Sequence, residues 1–331
     1  MSSLRNAALL AIAAAALSWS LIGLYARASL ASRQLDKPNE RSMHQVPVPV
    51  GAGLAIVATA LVLWPLSQAA GDNAPVVLLG CLAGLAGLSW LDDRRPLSPV
   101  LRLGAQALAV AFCLALLPPQ ARVATALPLP LERLALGLGW LWFINLFNFM
   151  DGIDGLAGSE AVAIAVGYLL LLTYLGIDEP LGRLALIIAA ASAGYLLWNW
   201  HPAKVFMGDA GSIPLGFLLG WLMIDLATKG YWSAAVILPL YFALDATITL
   251  CRRWFSGNKP WQPHREHFYQ RAVLGGTTPS GVVWRVAAAN LALLLLALAS
   301  VHWPVLALGA AAASVAVLLV HLEGLARRRG L

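Results

Sequence analysis

Residues 6–26 read NAALLAIAAAALSWSLIGLYA, a run that contains no charged side chain. A helix needs about 20 apolar residues to cross the hydrocarbon core of a bilayer, so this run is long enough to span a membrane. Further apolar runs follow at residues 51–70, 75–91, 101–117, 134–150, 159–176, 181–198, 213–228, 232–250, 282–301 and 304–322. The sequence therefore predicts an all-α, polytopic membrane protein with about 11 transmembrane helices, forming a single integral-membrane domain over residues 1–331.

The composition separates this chain from soluble proteins. Of its 331 residues, 60% are hydrophobic and 11% are charged, and the mean hydropathy is +0.75. Soluble domains carry about 25% charged residues, so most of this chain is expected to face lipid or other helices. The net charge of +6 does not indicate nucleic acid, because the basic residues recur in short segments between the apolar runs. The expected partner is the lipid bilayer.

The basic residues also predict an orientation. When alternate loops are assigned to alternate sides, one side receives 17 of the 22 Lys and Arg residues, and the other keeps Arg5, Arg122, Arg133, Arg183 and Lys229. Cytoplasmic loops are enriched in Lys and Arg, so the richer side is predicted to be cytoplasmic, with the N-terminus in the periplasm and the C-terminus in the cytoplasm. Only one basic residue precedes the first apolar run, which favours an uncleaved helix over a signal peptide.

One polar stretch is the most informative about function. Residues 145–158 read NLFNFMDGIDGLAG, with Asn145, Asn148, Asp151 and Asp154 spaced three residues apart. A step of three residues turns a helix by about 300°, so these side chains form a stripe along one side of a helix end. The alternative is an ordinary helix cap, but a cap requires one such side chain and this stretch has four. Two carboxylates with neighbouring amides suit Mg²⁺ and a phosphate-bearing ligand.

Two further acidic segments fall on the same predicted side. Residues 199–212 read NWHPAKVFMGDAGS, in which Asp209 lies between glycines, and Asp92 and Asp93 are followed by an arginine cluster. Taken alone, the first is compatible with an ordinary interhelical loop and the second with a solvated, charge-balanced loop. The acids were not used to assign the sides. Their clustering therefore independently favours a site on the cytoplasmic face.

The longest predicted cytoplasmic loop is basic and carries two histidines. His264 and His267 could be zinc ligands, but zinc requires about four ligands and the cysteines lie elsewhere. A cluster of His, Arg and Tyr is better suited to diphosphate oxygens or sugar hydroxyls, and the alternative is a basic loop that contacts anionic lipid. Asp245 lies within an apolar run, where a carboxylate is expected to face the bundle interior and pair with a polar group.

Taken together and in this order, these segments resemble the polyprenyl-phosphate N-acetylhexosamine 1-phosphate transferases. Residues 145–158 look like the family's NxxNxxDGIDGLAG motif and residues 206–212 like its FMGDAGS motif, while the Asp92 pair and the histidine loop occupy the other two expected places. The loop around His264 is similar to the branch that initiates O-antigen synthesis and differs from the histidine run of the muramoyl-pentapeptide branch. Where many members have Lys, this chain has Arg102, whose planar guanidinium keeps the charge but changes the geometry.

The resemblance implies a reaction and a set of site residues. An N-acetylamino-sugar 1-phosphate would pass from a UDP-sugar of the UDP-GlcNAc, UDP-FucNAc or UDP-QuiNAc type to undecaprenyl phosphate, releasing UMP, at the cytoplasmic face of the bacterial inner membrane. The implied cofactor is Mg²⁺, or else Mn²⁺, bound by Asp209, Asp151 and Asp154. The implied catalytic residues are Asp92, Asp93, Asp151 and Asp209, and the implied substrate-binding residues are Asn145, Asn148, Asp154, Asn199, Phe206, Arg102, Lys204, His264, Arg265 and His267.

Two other functions fit part of the sequence. A polytopic transporter would explain the many spans and the intramembrane Asp225 and Asp245, but transporters usually place charges near the membrane midplane and often show inverted repeats. A CDP-alcohol phosphotransferase would need a DGxxAR pattern, which the segment after Asp151 does not continue. The sequence leaves open which sugar is transferred, whether the displacement is direct or proceeds through an enzyme-bound intermediate, and whether the working unit is a homodimer.

Overall fold

The computed structural model describes residues 2–32, 35–36, 47–68, 76–259, 262 and 264–327. These residues are mainly helical, as the sequence predicts. Their helices are α1 (Ser2–Ser32), α2 (Leu54–Leu66), α3 (Val76–Arg94), α4 (Pro99–Leu116), α5 (Leu129–Phe149), α6 (Leu156–Leu175), α7 (Pro180–Asn199), α8 (Asp209–Thr228), α9 (Trp232–Ile237), α10 (Leu240–Phe255), α11 (Phe268–Leu274), α12 (Pro279–Ala299) and α13 (Pro304–Ala326). Two short antiparallel strands, β1 (Leu35–Asp36) and β2 (Val48–Pro49), precede α2.

Eight segments within the described residues are long and apolar enough to cross a membrane. They are Leu4–Leu30, Val76–Arg94, Pro99–Leu116, Leu156–Leu175, Pro180–Asn199, Asp209–Ile237, Pro279–Ala299 and Pro304–Ala326. The prediction of an all-α, polytopic membrane protein is confirmed at this level. The remaining predicted runs fall on α2, α5 and α10, so the total of about 11 spans stays a prediction.

The predicted run 232–250 is not one continuous helix. α9 ends at Ile237, and α10 begins at Leu240 and continues to Phe255. Pro239 lies between them. Proline has no N–H to donate and its ring clashes with the carbonyl four residues earlier, so an unbroken α-helix is disfavoured at this position.

α8 lies at the centre of the bundle, and all but three of its residues are buried. On α5, Trp140 stacks on Phe217 with ring centroids 4.8 Å apart and donates its indole N–H to the Phe217 carbonyl at 3.0 Å. A Cβ atom at Gly220 would lie 2.3 Å from the Trp140 ring, so the glycine permits this close approach. The packing fixes the end of α5, which carries Asn148, relative to the start of α8, which carries Asp209.

The segment before α2 pairs with the segment before α8. Phe206 N donates to the Pro49 carbonyl at 2.8 Å, and the Phe206 carbonyl accepts from Gly51 N at 3.2 Å. Gly53 faces Gly211 so closely that an added Cβ atom on Gly53 would lie 2.5 Å from the Gly211 Cα atom. These backbone contacts hold the loop that leads into α8.

Candidate active site

Asp209, the first residue of α8, is the point at which several predicted site residues meet. Its Oδ1 atom accepts from Asn148 Nδ2 at 2.8 Å, and its Oδ2 atom lies 3.2 Å from Arg102 Nη1. Asn148 Nδ2 also donates to Ser212 Oγ at 2.8 Å, one turn further along α8. The ends of α4, α5 and α8 therefore converge on one carboxylate. Its side chain remains 29% exposed, so a ligand can reach it.

Arg102 bridges two of the predicted catalytic carboxylates. Its Nη1 atom lies 2.6 Å from Asp92 Oδ2 in addition to its contact with Asp209. The other Asp92 oxygen accepts from Leu97 N at 2.7 Å, which fixes the carboxylate in the turn between α3 and α4. The Arg102 side chain is 37% exposed, so part of its planar fork can also meet an anionic ligand.

Asp93 has a different role from its neighbour Asp92. Its two carboxylate oxygens accept from Asp209 N and Ala210 N, both at 3.1 Å. The first N–H groups of a helix have no partner within the helix, so Asp93 on α3 supplies the cap that α8 lacks from its own sequence. The preceding Gly208 has φ 71°, and a Cβ atom there would lie 2.8 Å from Asp93 Oδ2. The catalytic role predicted for Asp93 stays a prediction, and the geometry shows a cap.

Asp151 lies in the turn between α5 and α6, in an environment that disfavours its charged form. Within the described part of the chain, no hydrogen bond or ion pair reaches its carboxylate. Burial raises the pKa of Asp151 well above its ordinary value, and the carboxylates of Asp209, Asp93 and Asp154 raise it further. A cluster of this kind is stabilised when a cation joins it.

Asp154 and Asn199 connect the two motif loops to each other. Asp154 Oδ2 accepts from Ala203 N at 3.0 Å and lies 2.6 Å from His201 Nδ1. Asn199 is buried, and its Oδ1 atom accepts from Gly155 N while its Nδ2 atom donates to the Val205 carbonyl, both at 2.8 Å. The nucleotide contacts predicted for Asp154 and Asn199 stay predictions. In the structure, both side chains hold loop backbone.

The remaining predicted substrate-binding residues between α5 and α8 differ in how deeply they are buried. Asn145 Nδ2 donates to Gln106 Oε1 at 2.7 Å, which links α5 to α4 one turn below Arg102. Phe206 is half-buried and anchored through its backbone. Lys204 is exposed, with its Nζ atom 5.9 Å from the centre of the Trp198 ring.

The histidine loop packs against the turn that carries Asp151. Tyr269, in α11, donates its hydroxyl to the Phe149 carbonyl at 3.1 Å, and a Cβ atom at Gly152 would lie 2.1 Å from that hydroxyl oxygen. The rings of His267 and Tyr269 stack with centroids 5.6 Å apart. The histidine loop is therefore brought against the segment formed by residues 145–158.

The two other predicted residues of this loop differ in electrostatic environment. Burial, together with the neighbouring His267 and Arg253, lowers the pKa of His264 to about 4, so His264 is neutral near pH 7. Its ring stacks on His267 with centroids 4.9 Å apart. Arg265 is half-buried, and among the described residues it has no acidic partner, so its charge remains available to a ligand.

The predicted set of three metal-binding carboxylates does not converge in this arrangement. Within the described residues, no three His, Cys, Asp or Glu side chains are placed to hold one ion. Asp154 already binds His201 and Ala203 N. Asp151 and Asp209 retain oxygen atoms that face the site, and Mg²⁺ commonly binds only one or two carboxylates together with substrate phosphates. The donor set therefore fits a cation completed by a phosphate ligand.

Comparison with known proteins agrees with these motifs. Residues 75–227 match the family model described as Glycosyl transferase family 4. The chain is 29% identical over 283 residues to an undecaprenyl-phosphate alpha-N-acetylglucosaminyl 1-phosphate transferase of Yersinia pestis, covering 78% of this chain and 75% of the relative. It is 29% identical over 310 residues to a decaprenyl-phosphate N-acetylglucosaminephosphotransferase of Mycolicibacterium smegmatis, covering 82% and 76%. The matched family model and these relatives support the polyprenyl-phosphate N-acetylhexosamine 1-phosphate transferase family for this chain.

The similarity supports the family and does not distinguish its branches. The chain is also 33% identical over 237 residues to a phospho-N-acetylmuramoyl-pentapeptide-transferase of Thermosynechococcus vestitus, covering 64% of this chain. It spans 58% of the length of that relative and 57% of a Streptomyces coelicolor relative, which is less than two thirds in each case.

Several residues of the candidate active site were not predicted from the sequence. Gln106 and His201 bind the predicted residues Asn145 and Asp154, and Tyr269 seats α11 on the Asp151 turn. Gln106 had a usable signal, because a polar residue inside an apolar run usually faces the interior of the bundle. His201 and Tyr269 had none beyond their position within the quoted motifs.

Proposed function

We propose that this chain transfers an N-acetylamino-sugar 1-phosphate from a UDP-sugar to a polyprenyl phosphate and releases UMP. The proposal includes donors of the UDP-GlcNAc, UDP-FucNAc or UDP-QuiNAc type, undecaprenyl phosphate as acceptor, and a role in starting O-antigen or a related envelope glycan. The observation that carries it is the bridge from Arg102 to Asp92 and Asp209, at the ends of apolar helices and close to the carboxyl group of Asp151, whose pKa the carboxylates of Asp209 and Asp93 raise. A site of this kind suits two phosphate ligands, one of which is attached to a lipid.

In the proposed reaction, an oxygen of the polyprenyl phosphate attacks the β-phosphorus of the UDP-sugar. A new P–O bond forms to the acceptor, the bond between the β-phosphorus and the bridging oxygen breaks, and UMP leaves with that oxygen. Both reactants are anionic, so positioning and charge neutralisation contribute more than covalent chemistry. Arg102 would meet the acceptor phosphate, while Lys204, Arg265 and His267 would meet the donor diphosphate.

Divalent cation binding forms part of the proposal. Asp209 and Asp151 would hold Mg²⁺ or Mn²⁺, and the bound ion would supply positive charge for the phosphate oxygens of the donor. Asn148 orients Asp209 through its 2.8 Å hydrogen bond, and Asp93 fixes the backbone on which Asp209 sits. Asp92 would orient the acceptor phosphate or accept its proton.

An apolar groove between α4 and α5 supports a lipid acceptor. It has a volume of about 400 Å³ and is lined by residues such as Val110, Leu114 and Leu138. On α4, the positions of Arg102, Gln106 and Val110 follow one another at four-residue spacing and therefore share one face. A polyprenyl chain in this groove would bring its phosphate toward Arg102.

The membrane placement is likewise proposed. The site lies where α3, α5 and α7 end and α4, α6 and α8 begin, as expected for antiparallel neighbours in a bundle. With the asymmetry of basic residues, this end would face the cytoplasm of the bacterial inner membrane, the N-terminus would lie in the periplasm, and about 11 helices would span.

The transport alternative has no observation in its favour. Asp225, one of its two candidate residues, accepts from the Tyr168 hydroxyl at 2.6 Å and pairs with Lys229. The Lys229 Nζ atom also lies 2.9 Å from Glu179 Oε2. These contacts tie the far end of α8 to α6 and to the start of α7.

The experiment is a turnover assay on the purified full chain in lipid nanodiscs. Undecaprenyl phosphate and a panel of UDP-sugars are supplied with Mg²⁺, UMP is measured, and the lipid product is identified by mass. We expect UMP and a lipid-diphosphate sugar for at least one UDP-N-acetylamino sugar, and their loss in Asp209→Asn. Turnover of CDP-alcohols instead, or uptake of substrate into vesicles without UMP release, would contradict the proposal.

A further inference from the structure

Asp245 is a carboxylate that the proposed chemistry does not use. It lies in α10, is fully buried, and is surrounded by hydrogen-bond donors. Its Oδ1 atom accepts from Phe268 N at 3.1 Å and lies 3.2 Å from His267 Nδ1. Its Oδ2 atom accepts from Tyr269 N at 3.3 Å and from the Tyr241 hydroxyl at 3.2 Å. Both oxygen atoms are thus engaged as acceptors.

These contacts make one residue of α10 the anchor of the histidine loop. Phe268 and Tyr269 are the first two residues of α11, so their N–H groups would otherwise have no partner. A seven-residue helix is too short to be stable by itself and depends on such contacts. Asp245 therefore determines where α11 begins and which way its side chains point.

The contact with His267 has a chemical consequence. A carboxylate at Nδ1 favours the form of the ring in which that nitrogen carries a proton and donates. The ring also stacks with those of His264 and Tyr269, with centroids 4.9 and 5.6 Å apart. Nε2 is the ring nitrogen that does not contact Asp245.

The anchor extends to the turn that carries the proposed cation-binding carboxylate. Tyr269 N is bound by Asp245, while the Tyr269 hydroxyl donates to the Phe149 carbonyl and packs on Gly152. A shift of α11 would therefore move both His267 and the turn that follows α5.

We infer that Asp245 is a positioning residue, which fixes the Nδ1-protonated form of His267 and seats α11 so that His267 Nε2 faces the diphosphate of the donor. This inference rests on the proposed function for the identity of the donor. Asp245 itself touches no substrate. Its effect on turnover passes through His267 and through the placement of α11.

Asp245→Asn tests this arrangement with a minimal change in shape. An amide has one acceptor and one donor group, so one of the two oxygen positions would place a donor against the donors of α11 or Tyr241. The matched control is Asp225→Asn, the same change in a carboxylate on α8, at the end of that helix far from Asp209. We expect Asp245→Asn to raise the KM for the donor and to lower kcat/KM by about 10- to 100-fold, the range found for carboxylates that orient metal-binding histidines. Asp225→Asn should retain the donor KM.

A double-variant cycle separates positioning from general destabilisation. If Asp245 acts through His267, then Asp245→Asn should add little to the loss already caused by His267→Gln. Full multiplication of the two fold-losses in kcat/KM would overturn the inference, because independent effects add as free energies and therefore multiply as rate ratios.

The spectrum of the unaltered protein provides a test that does not depend on turnover. In ¹⁵N-histidine-labelled protein, with the signal assigned by its loss in His267→Gln, we expect His267 to carry its proton on Nδ1. A proton on Nε2 alone would overturn the inference. If no UDP-sugar is turned over, the proposed function fails, while this measurement still decides the Asp245–His267 contact.

Discussion

Asp92 and Asp93 are adjacent in sequence, yet the structure predicts that the same substitution affects mainly stability at Asp93 and mainly activity at Asp92. Asp93 caps α8 through two backbone N–H groups at 3.1 Å, while Asp92 pairs with Arg102 at 2.6 Å. Asparagine is a good helix cap and its one oxygen atom can retain one of the two bonds of Asp93. We therefore expect Asp93→Asn to lower the free energy of unfolding by about 1 kcal/mol, and Asp93→Ala, which loses both bonds, by about 2 kcal/mol.

The expected loss of activity follows from the same numbers. If the whole loss of about 1 kcal/mol were expressed in the transition state, kcat/KM of Asp93→Asn would fall by about fivefold. Asp92→Asn removes the anionic partner of Arg102 and the group nearest to the proposed acceptor phosphate, so a loss of about 100-fold or more is expected. UMP release measures activity, and thermal unfolding in the same detergent measures stability.

The refuting result is specific. An inactive Asp93→Asn with an unchanged Tm, next to an active Asp92→Asn, would show that Asp93 performs the chemistry. The capping interpretation would then be wrong, and the catalytic role expected from the sequence would be correct.

The remaining predictions concern charge, packing and pH. Arg102→Met should lower kcat/KM by about 100-fold or more, with a smaller change in Tm because the arginine is partly exposed, and a wild-type rate would remove it from the phosphate site. Gly152→Ala should lower Tm and activity together by forcing its Cβ atom against the buried Tyr269, whereas Gly139→Ala, with no atom within 4 Å of the added group, should do neither. Because the folded protein lowers the pKa of His264 to about 4, protonation opposes folding, and stability should fall as pH drops from 6.5 toward 4. His264→Gln should remove that fall in stability in a pH series of unfolding measurements, and it should leave the pH–rate profile above about pH 5 unchanged. If the variant instead loses a titration near neutral pH from its pH–rate profile, this prediction is wrong.

Much of the fold was predictable because hydropathy is a local property of the chain. An apolar run of sufficient length must form a helix in lipid, since its backbone groups have no other partner. The break at Pro239 was detectable in principle from the chemistry of proline, but the strength of the apolar signal on both sides of it favoured one helix. The site motifs were predictable for a related reason, because acids and amides beside a bilayer are costly without a function.

The roles of these residues depended on contacts between distant parts of the chain. Nothing local to Asp93 indicates that it caps a helix beginning at Asp209, and nothing local to Asn199 indicates that it bonds Gly155 N and the Val205 carbonyl. The sequence alone determined that this is a membrane protein with carboxylates at helix ends. Only the tertiary structure decided which carboxylate faces Arg102, which caps a helix and which has no hydrogen-bond partner among the described residues, because hydrogen bonds form between groups that helix packing brings within about 3 Å.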